Sequence, residues 1–472
     1  MVIIVQIDWE RFNKILEGLP FTLNEKQIKA CVEYINGNDH YLLISEAGAG
    51  KTLLINILKA YYKDEMILCS STGVGNQNLL DGRGGDGTAH RVWSIPYHLG
   101  DNIEKVKKPC SAIFSGSDLV KHVVIDEVFM LNSEALEVIK QRINRFNKRT
   151  KNRNERNIRV LIVGDPLQLP SVIREDNGDL QYLQDKYGSP KIYRSRLWDE
   201  FDFKVLMLED VMRQGDKVFK AALSVLRYGQ EERYEGVLNW LNRRVNYNYD
   251  KDMFTVAAYK ATVDNVNKRV LATNKNPKRV YRAMVKDSFD LKENDVEKEI
   301  ILCEGLECLV TVNDEYSEYF NGTLVRLTQL TSEGCYAKTV AEDKQVFIRL
   351  HEYKQEETYV EKDVLQDDGV RKDVLRKKEV GTCIQIPLMQ ASAITTHRAQ
   401  GKTFNNQGVV DMGVKGFYER EGDYGCALLY VGLSRFTDVN NIQLPRKLHR
   451  GHIKVDRDAI NFWFECKEKS VI

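Results

Sequence analysis

The sequence Ser45-Glu46-Ala47-Gly48-Ala49-Gly50-Lys51-Thr52 decides the fold of this 472-residue chain. The apolar run before it, Tyr41-Leu42-Leu43-Ile44, predicts a buried strand, and residues 53–58 after it predict a helix. A glycine-rich turn between a strand and a helix that opens with Gly-Lys-Thr is typical of a phosphate-binding loop. Glycine lets backbone N–H groups turn toward an anion, and the helix N-terminus adds partial positive charge. We therefore predict that this loop binds a nucleotide. The predicted contacts are Gly48, Ala49, Gly50, Lys51 and Thr52.

Two side chains of this loop have predicted roles. Lys51 would reach the β- and γ-phosphates, and the Thr52 hydroxyl would hold Mg²⁺. Ser45 departs from the pattern, which has glycine at that place, and serine tolerates positive φ poorly. We therefore expect an altered start of the loop. The alternative is a surface turn that contains Gly-Lys-Thr by chance, and the flanking strand and helix favour the phosphate loop.

Composition bounds the class of protein. At about 150 residues per domain, the length suggests about three domains. The 69 basic and 68 acidic residues balance, so any nucleic-acid binding must use local basic surface. Nine cysteines lie singly along the chain without zinc-ligand spacing, which is typical of reduced thiols.

The sequence also predicts a location. Asp8 follows the apolar start too soon for a signal peptide, and no run of about 20 apolar residues is present. We expect an intracellular protein of the cytoplasm or nucleoid with no membrane partner, and a bacterial or phage origin is compatible with this.

A carboxylate pair follows another predicted strand. His122-Val123-Val124-Ile125 ends in Asp126-Glu127. In a nucleotide hydrolase, Asp126 would hold Mg²⁺ through water, and Glu127 would orient or deprotonate the attacking water. A solvated acidic strand end is the alternative, less favoured downstream of a phosphate loop. After the next strand, Gln168 is placed to sense a γ-phosphate.

The rest of the chain predicts an α/β fold in several parts. Residues 1–203 would form a first parallel-sheet domain, with an excursion at about 92–118. Strand–helix units over 204–280 and 386–472 would form a second domain. Short alternating segments over 281–385 predict a small antiparallel β-barrel inserted into it.

Four further blocks carry a family resemblance. They are Gly164-Asp165-Pro166-Leu167-Gln168-Leu169-Pro170, Met212-Arg213-Gln214, Thr396-His397-Arg398-Ala399-Gln400-Gly401 and Tyr430-Val431-Gly432-Leu433-Ser434-Arg435. With the phosphate loop they resemble, in order, the motifs of superfamily 1 helicases. The resemblance is to the branch of RecD-like and Dda-like enzymes, which move 5′ to 3′ on single-stranded DNA.

The resemblance implies two RecA-like domains with ATP between them. Gln27 would meet adenine, and Gln400 and Gly401 would face the nucleotide from the second domain. Arg213 and Arg435 would reach the γ-phosphate from the same side. A guanidinium suits this role because it binds phosphate oxygens bidentately and stays charged.

The resemblance also implies a DNA path along both domains. The predicted grips on sugar and phosphate are Thr72, Thr88, His90, Thr396 and His397. Such contacts carry little sequence information. Trp93 and Tyr97 would stack on bases or split the duplex, with core packing as the alternative for Trp93. We expect ATP and Mg²⁺ as ligands, single-stranded and fork DNA as partners, and replication, repair or recombination proteins nearby.

Three rival functions remain at this point. A single-strand translocase or RNA helicase would use the same ATPase. A non-catalytic ATP-switched assembly protein would not need Glu127, Arg213 or Arg435. A helicase–nuclease fusion would need an acidic cluster that the sequence does not suggest.

Overall fold

The computed structural model describes residues 7–20, 22–46, 48–72, 75–76, 79–80, 85–96, 100, 119–150, 158–171, 173, 178–209, 214–292, 294–314, 318–319, 321–340, 342–365, 371–417 and 425–472. Tyr97, Arg213 and most of the predicted excursion therefore lie outside the described residues. In the parts of the chain described, no helix is both long and apolar enough to cross a bilayer.

The first domain is built on a five-stranded parallel sheet. Its strands are β1 (Tyr41–Ser45), β2 (Met66–Ser70), β3 (His122–Asp126), β4 (Arg159–Gly164) and β5 (Lys204–Leu208). They are ordered β2-β3-β4-β1-β5. Almost every residue of these strands is buried. Burial on both faces explains why the strands are continuous apolar runs rather than alternating ones.

Six helices of the first domain are α1 (Trp9–Glu17), α2 (Glu25–Asn36), α3 (Lys51–Tyr62), α4 (Ala89–Trp93), α5 (Ser133–Thr150) and α6 (Asp179–Tyr187). Helix α2 begins with a capping box, in which Asn24 and Gln27 each bond the other's backbone N–H. Two apolar clusters form the core of this domain.

Strand β5 lies in the first sheet, which corrects the predicted boundary at residue 204. It pairs with β1 along its whole length, from Tyr41 opposite Lys204 to Ser45 opposite Leu208. Strand–helix order along a chain does not say which sheet edge a strand joins. Here β5 pairs with the edge of β1, so the second domain begins only after residue 208.

The second domain is made from two separate stretches of chain. Its first stretch contains α7 (Lys217–Tyr228), α8 (Tyr234–Leu241), β6 (Thr255–Ala257) and α9 (Lys260–Thr273). Helix α7 packs Phe219, Leu223 and Leu226 into the core of this domain. That packing assigns α7 to the second domain although it follows β5 closely.

A β-rich insertion follows, as predicted. Its strands are β7 (Lys278–Arg282), β8 (Met284–Asp287), β9 (Glu299–Cys303), β10 (Glu307–Val310), β11 (Leu324–Leu330), β12 (Gly334–Thr339), β13 (Gln345–Arg349), β14 (His351–Leu365), β15 (Arg371–Gln385) and β16 (Leu388–Gln390). The described strands form an antiparallel sheet ordered β13-β12-β11-β10-β16, with smaller sheets β14-β15-β8 and β7-β9. Among the described residues β13 and β16 are the two edges of this sheet, so the predicted closure into a barrel is not found there.

Strands β14 and β15 form a long antiparallel ribbon, and both strands carry acidic as well as basic residues. Its ion pairs join the two strands, for example Arg376 Nε to Glu361 Oε2 at 2.9 Å. Both partners are about half exposed, so each pair stabilises the ribbon by about 0–1 kcal/mol at most.

The second stretch of the second domain contains β17 (Ala393–Thr395), α10 (Thr396–Ala399), β18 (Gly408–Asp411), α11 (Leu428–Ser434) and β19 (Ile442–Gln443). Its sheet is ordered β17-β6-β18-β19, and all three pairings are parallel. The two parallel sheets confirm the predicted α/β class.

The last helix, α12 (Arg457–Lys469), returns to the first domain. Phe462 stacks on Tyr193 with ring centroids 4.4 Å apart, and Trp463 is buried in the same core. Val471 N also donates to Val205 O at the edge of β5. The prediction that residues 386–472 all belong to the second domain is therefore wrong for this helix, because its apolar face is complementary to the first core.

We expect Phe462→Ala to lower the free energy of unfolding by about 3–5 kcal/mol, because it opens a cavity in the first core. Phe462 is 4% exposed, whereas Phe464 on the same helix is 47% exposed. The matched control Phe464→Ala should cost less than about 1 kcal/mol. Urea denaturation followed by circular dichroism measures both. Equal, small losses would contradict the docking of α12.

Candidate nucleotide site

The phosphate loop has the backbone that an anion cradle requires. Gly48 and Gly50 have φ of 87° and 94°, in the left-handed region that favours glycine. Gly50 directly precedes α3, so Lys51 and Thr52 lie in the first turn of that helix. Thr52 is exposed, so its hydroxyl is accessible to a ligand.

Ser45 does not disturb the loop. It is the last residue of β1, fully buried, and its Oγ donates to Glu46 O at 3.2 Å. Its backbone is extended and it is not among the residues with positive φ. The strain that we expected from serine at this position is therefore absent.

Gln27 links helix α2 to the phosphate loop. Its Nε2 donates to Ala49 O at 3.2 Å, and its Oε1 accepts from Asn24 N at 3.0 Å. The predicted contact with adenine stays a prediction. The amide keeps one acceptor site on Oε1 and one N–H on Nε2 beyond these two bonds.

The carboxylate pair lies at the end of β3. Glu127 has φ of 51°, uncommon for a non-glycine residue and frequent at functional sites. Its N–H donates to Asp126 Oδ1 at 2.9 Å. Burial, together with the neighbouring Glu127, raises the pKa of Asp126, and the Lys51 ammonium opposes that rise.

Thr52 and Asp126 stay the predicted ligands of a magnesium ion. A buried carboxylate whose charge is disfavoured by its surroundings gains from a nearby cation. Within the described residues, no group of three or more His, Cys, Asp or Glu side chains could hold a metal.

Gln168 is held by a residue that the sequence analysis did not single out. Its Nε2 donates to Asp165 Oδ2 at 3.0 Å, and both side chains are buried. Asp165 in turn accepts two hydrogen bonds from Arg227 on α7 of the second domain. Burial would raise the pKa of Asp165, but Arg227, with help from Lys51 and Gln168, lowers it.

Gln400 of the second domain contacts the carboxylate pair of the first domain. Its Nε2 donates to Glu127 Oε2 at 3.4 Å across the domain boundary. Its Oε1 is buried and has no hydrogen-bond partner in the described part of the chain. Gly401, with φ of 78°, turns the backbone immediately afterwards. Gln400 thus lies beside the carboxylate pair, and its predicted contact with the nucleotide stays a prediction.

The guanidinium of Arg435 forms hydrogen bonds with α11, the helix that ends just before it. Its Nε donates to Val431 O at 3.1 Å and its Nη2 to Ser434 Oγ at 2.9 Å. The predicted contact with a γ-phosphate therefore requires a new rotamer or a domain movement. Gln214, which the sequence analysis quoted only as part of a block, donates to Ser434 O and Phe436 O on either side of Arg435.

The predicted DNA grips differ in accessibility. Thr72 Oγ1 accepts from Gly75 N at 2.9 Å, and Thr88 Oγ1 caps α4 by accepting from Arg91 N. His90 and His397 are half-buried, and burial lowers the pKa of both. Thr396 is fully buried and its hydroxyl donates to Ala257 O, so this side chain is not positioned to grip DNA.

Trp93 packs in the interior of the first domain. It has no exposed surface and belongs to the first apolar core. The structure therefore favours the alternative reading of Trp93 as a core residue over the predicted base-stacking role. The sequence contains a signal for this burial: helical spacing after Thr88 places Ala89, Val92 and Trp93 on one face of the helix.

Comparison with known proteins shows which family this chain resembles. Residues 22–232 match the family model of PIF1-like helicases. The "ATP-dependent DNA helicase Pif1" of Campylobacter jejuni is 24% identical over 467 residues, covering 92% of this chain and 96% of the relative. The resemblance to superfamily 1 helicases is confirmed.

Solved structures share the fold. Pif1 from Bacteroides sp in complex with ADP-AlF4 has a TM-score of 0.76 at 22% identity, covering 95% of this chain and 98% of the other. Bacteroides Pif1 bound to ssDNA has a TM-score of 0.63 at 22% identity with the same coverage. This likeness supports two RecA-like domains.

We expect Ser45→Gly to leave the KM for ATP within about twofold, since Ser45 already has ordinary strand geometry. The variant should lose about 0.5–1 kcal/mol of stability, because glycine loses more entropy in a strand. Steady-state hydrolysis and urea denaturation measure the two effects.

Gly50→Ser is the contrasting variant. A Cβ at this residue would lie 2.6 Å from Gln27 Nε2, in a backbone with positive φ. We expect its KM to rise about tenfold or more. A strong gain of affinity in Ser45→Gly would contradict the description of the loop.

Proposed function

We propose that this chain, which matches the family model of PIF1-like helicases over residues 22–232, is an ATP-dependent DNA helicase that translocates 5′ to 3′ on single-stranded DNA. The observation that carries the proposal is a two-sided site. Lys51, Asp126 and Glu127 follow parallel strands of the first sheet, and Gln400 of the second domain contacts Glu127 directly.

The relatives support the reaction and the substrate. The Campylobacter jejuni protein, named an ATP-dependent DNA helicase, is similar to this chain over nearly its whole length. Structures of the Bacteroides protein hold ADP-AlF4 or ssDNA on the same fold. The family resemblance also motivates the direction of movement and the fork DNA substrate.

Hydrolysis would take place at the carboxyl edge of the first sheet. Lys51 neutralises phosphate charge, and Thr52 and Asp126 would hold Mg²⁺, which supplies further charge compensation at the phosphates. Glu127 orients the attacking water and accepts its proton. Its hydrogen bond to Gln400 is long, at 3.4 Å, so water can replace the amide at little cost.

Movement would follow from the second domain's arginines. When Arg435 and Arg213 reach the γ-phosphate, the cleft closes, and loss of that phosphate opens it again. If the two domains hold the strand alternately, each cycle becomes a step. The contacts with DNA would be to sugar and phosphate, through Thr72, Thr88, His90 and His397.

The rival functions differ from this proposal in testable ways. An ATP-switched assembly protein would not need a water activator such as Glu127. A translocase would hydrolyse ATP on single strands without separating a duplex, and an RNA helicase would prefer RNA substrates. Replication and repair proteins remain the predicted protein partners.

We expect Glu127→Gln to reduce kcat for DNA-stimulated ATP hydrolysis by about 10²–10⁴-fold, because it removes the general base. Binding of a fluorescent ATP analogue should persist. Lys51→Ala is the complementary variant, since it should weaken nucleotide binding as well as hydrolysis. Normal turnover by Glu127→Gln would refute the catalytic assignment.

We expect the protein to unwind a duplex with a 5′ single-stranded tail and to leave a 3′-tailed duplex intact. Unwinding of labelled DNA, with RNA duplexes of the same sequence as control, measures this. The logarithm of the affinity for the single strand should fall linearly with the logarithm of salt concentration as counterions are released. Exclusive use of the 3′ tail would refute the direction but not the ATPase.

A further inference from the structure

We propose that Arg227 is a positioning residue for ATP hydrolysis, which holds Gln168 in place through Asp165 and ties it to the helix that precedes Arg435. The inference rests on the proposed ATPase function. It adds a residue outside the blocks that carry the family resemblance and outside the predicted site.

The pair of Arg227 and Asp165 joins the two domains. Arg227 Nη1 donates to Asp165 Oδ2 at 2.8 Å, and Nη2 donates to Asp165 Oδ1 at 2.9 Å. Their side chains are 1% and 0% exposed. Two parallel bonds from a planar guanidinium fix orientation as well as distance.

Asp165 passes this constraint to Gln168. Its Oδ1 also accepts from Leu167 N at 3.1 Å, and its Oδ2 also accepts from Gln168 Nε2 at 3.0 Å. Each carboxylate oxygen therefore serves one donor from the second domain and one from its own turn. A rotation of this carboxylate would break the bond that holds Gln168.

Arg227 also contacts two other parts of the site. Its Nη1 lies 3.2 Å from the hydroxyl of Tyr430 on α11, the helix followed by Arg435. Its guanidinium carbon lies 4.4 Å from the ring centre of Trp463 on α12. One side chain thus touches an element from each side of the cleft.

The Nε–H group of Arg227 lies near Glu46 at the start of the phosphate loop. Its Nε is buried without a hydrogen-bond partner in the described residues, and Glu46 Oε1 lies 3.9 Å away. The hydroxyl of the next residue, Tyr228, donates to that same Oε1 at 2.6 Å. A small shift of the loop toward α7 would satisfy the buried donor, so loop position and domain position are coupled here.

Stability alone does not account for a charged pair at this place. Replacing a buried ion pair by well-packed apolar residues is often neutral or stabilising, whereas removing one partner is strongly destabilising. A fixed orientation of Gln168 is what the charged pair provides and an apolar pair does not. The two roles can therefore be separated by experiment.

The test uses the full chain and three variants: Arg227→Met, the double variant Arg227→Met with Asp165→Leu, and Arg227→Lys. We measure kcat and KM for ATP at saturating single-stranded DNA, affinity for a fluorescent ATP analogue, and the thermal unfolding temperature. For Arg227→Met we expect kcat to fall at least tenfold with KM within threefold. The double variant should unfold at a higher temperature than Arg227→Met, because no unpaired charge stays buried, but it should not regain kcat.

The matched control is Arg159→Met. Arg159 is the first residue of β4, whereas Asp165 follows the other end of that strand. It is buried and its guanidinium lies over the Tyr34 ring. We expect this control to lower the unfolding temperature and keep kcat near the parental value.

Recovery of kcat in the double variant to within threefold of the parent would overturn the proposal, since the pair would then be only structural. Arg227→Lys carries the test if Arg227→Met does not fold. Lysine keeps the charge but cannot bridge both oxygens, so kcat should stay at least fivefold below the parent, and parental kcat would again overturn the proposal.

Failure of the proposed function gives a different result. A parent protein without DNA-stimulated hydrolysis, or a Glu127→Gln variant at the parental rate, would refute the ATPase itself. Parental kcat in Arg227→Met beside an inactive Glu127→Gln variant would refute only the role of Arg227.

Discussion

The parallel pairing of β1 with β4 is the constraint on which the site depends. Ile44 lies opposite Gly164, so the phosphate loop and the turn with Asp165 and Gln168 begin at the same level of the sheet. Strand β3 pairs with β4 in the same way and brings the carboxylate pair to that edge. Three segments far apart in sequence thus meet because backbone hydrogen bonds fix their register.

Side-chain hydrogen bonds join the two domains at this edge, beside apolar contacts such as that of Leu169 with the second core. Gln400 bonds Glu127, and Arg227 bonds Asp165. Hydrogen bonds between domains suit the proposed opening and closing of the cleft, because exposing polar groups to water costs less than exposing an apolar core. The same contacts give the closed arrangement a defined geometry, since hydrogen bonds are directional.

The chain also returns to the first domain after completing the second. Lys191 Nζ lies 2.6 Å from Asp456 Oδ2 just before α12, and Arg194 binds Asp458 and Glu465 on that helix. With Phe462 and Trp463 in the core, these ion pairs fasten the end of the chain to the domain that holds the phosphate loop. The second domain is therefore attached to the first at both of its ends.

The sequence by itself determined the phosphate loop, the carboxylate pair, the two α/β units and the family resemblance, because these follow from local residue order and strand–helix periodicity. It did not determine that β5 and α12 belong to the first domain, because sheet edges and complementary apolar faces are properties of the folded chain. Trp93 and Thr396 are predicted DNA contacts, yet the structure buries both. Arg227 lies near the end of α7, shortly before Gly229, and belongs to no recognisable sequence motif. Only the tertiary structure places it beside Asp165 of the other domain, where each buried charge is paired.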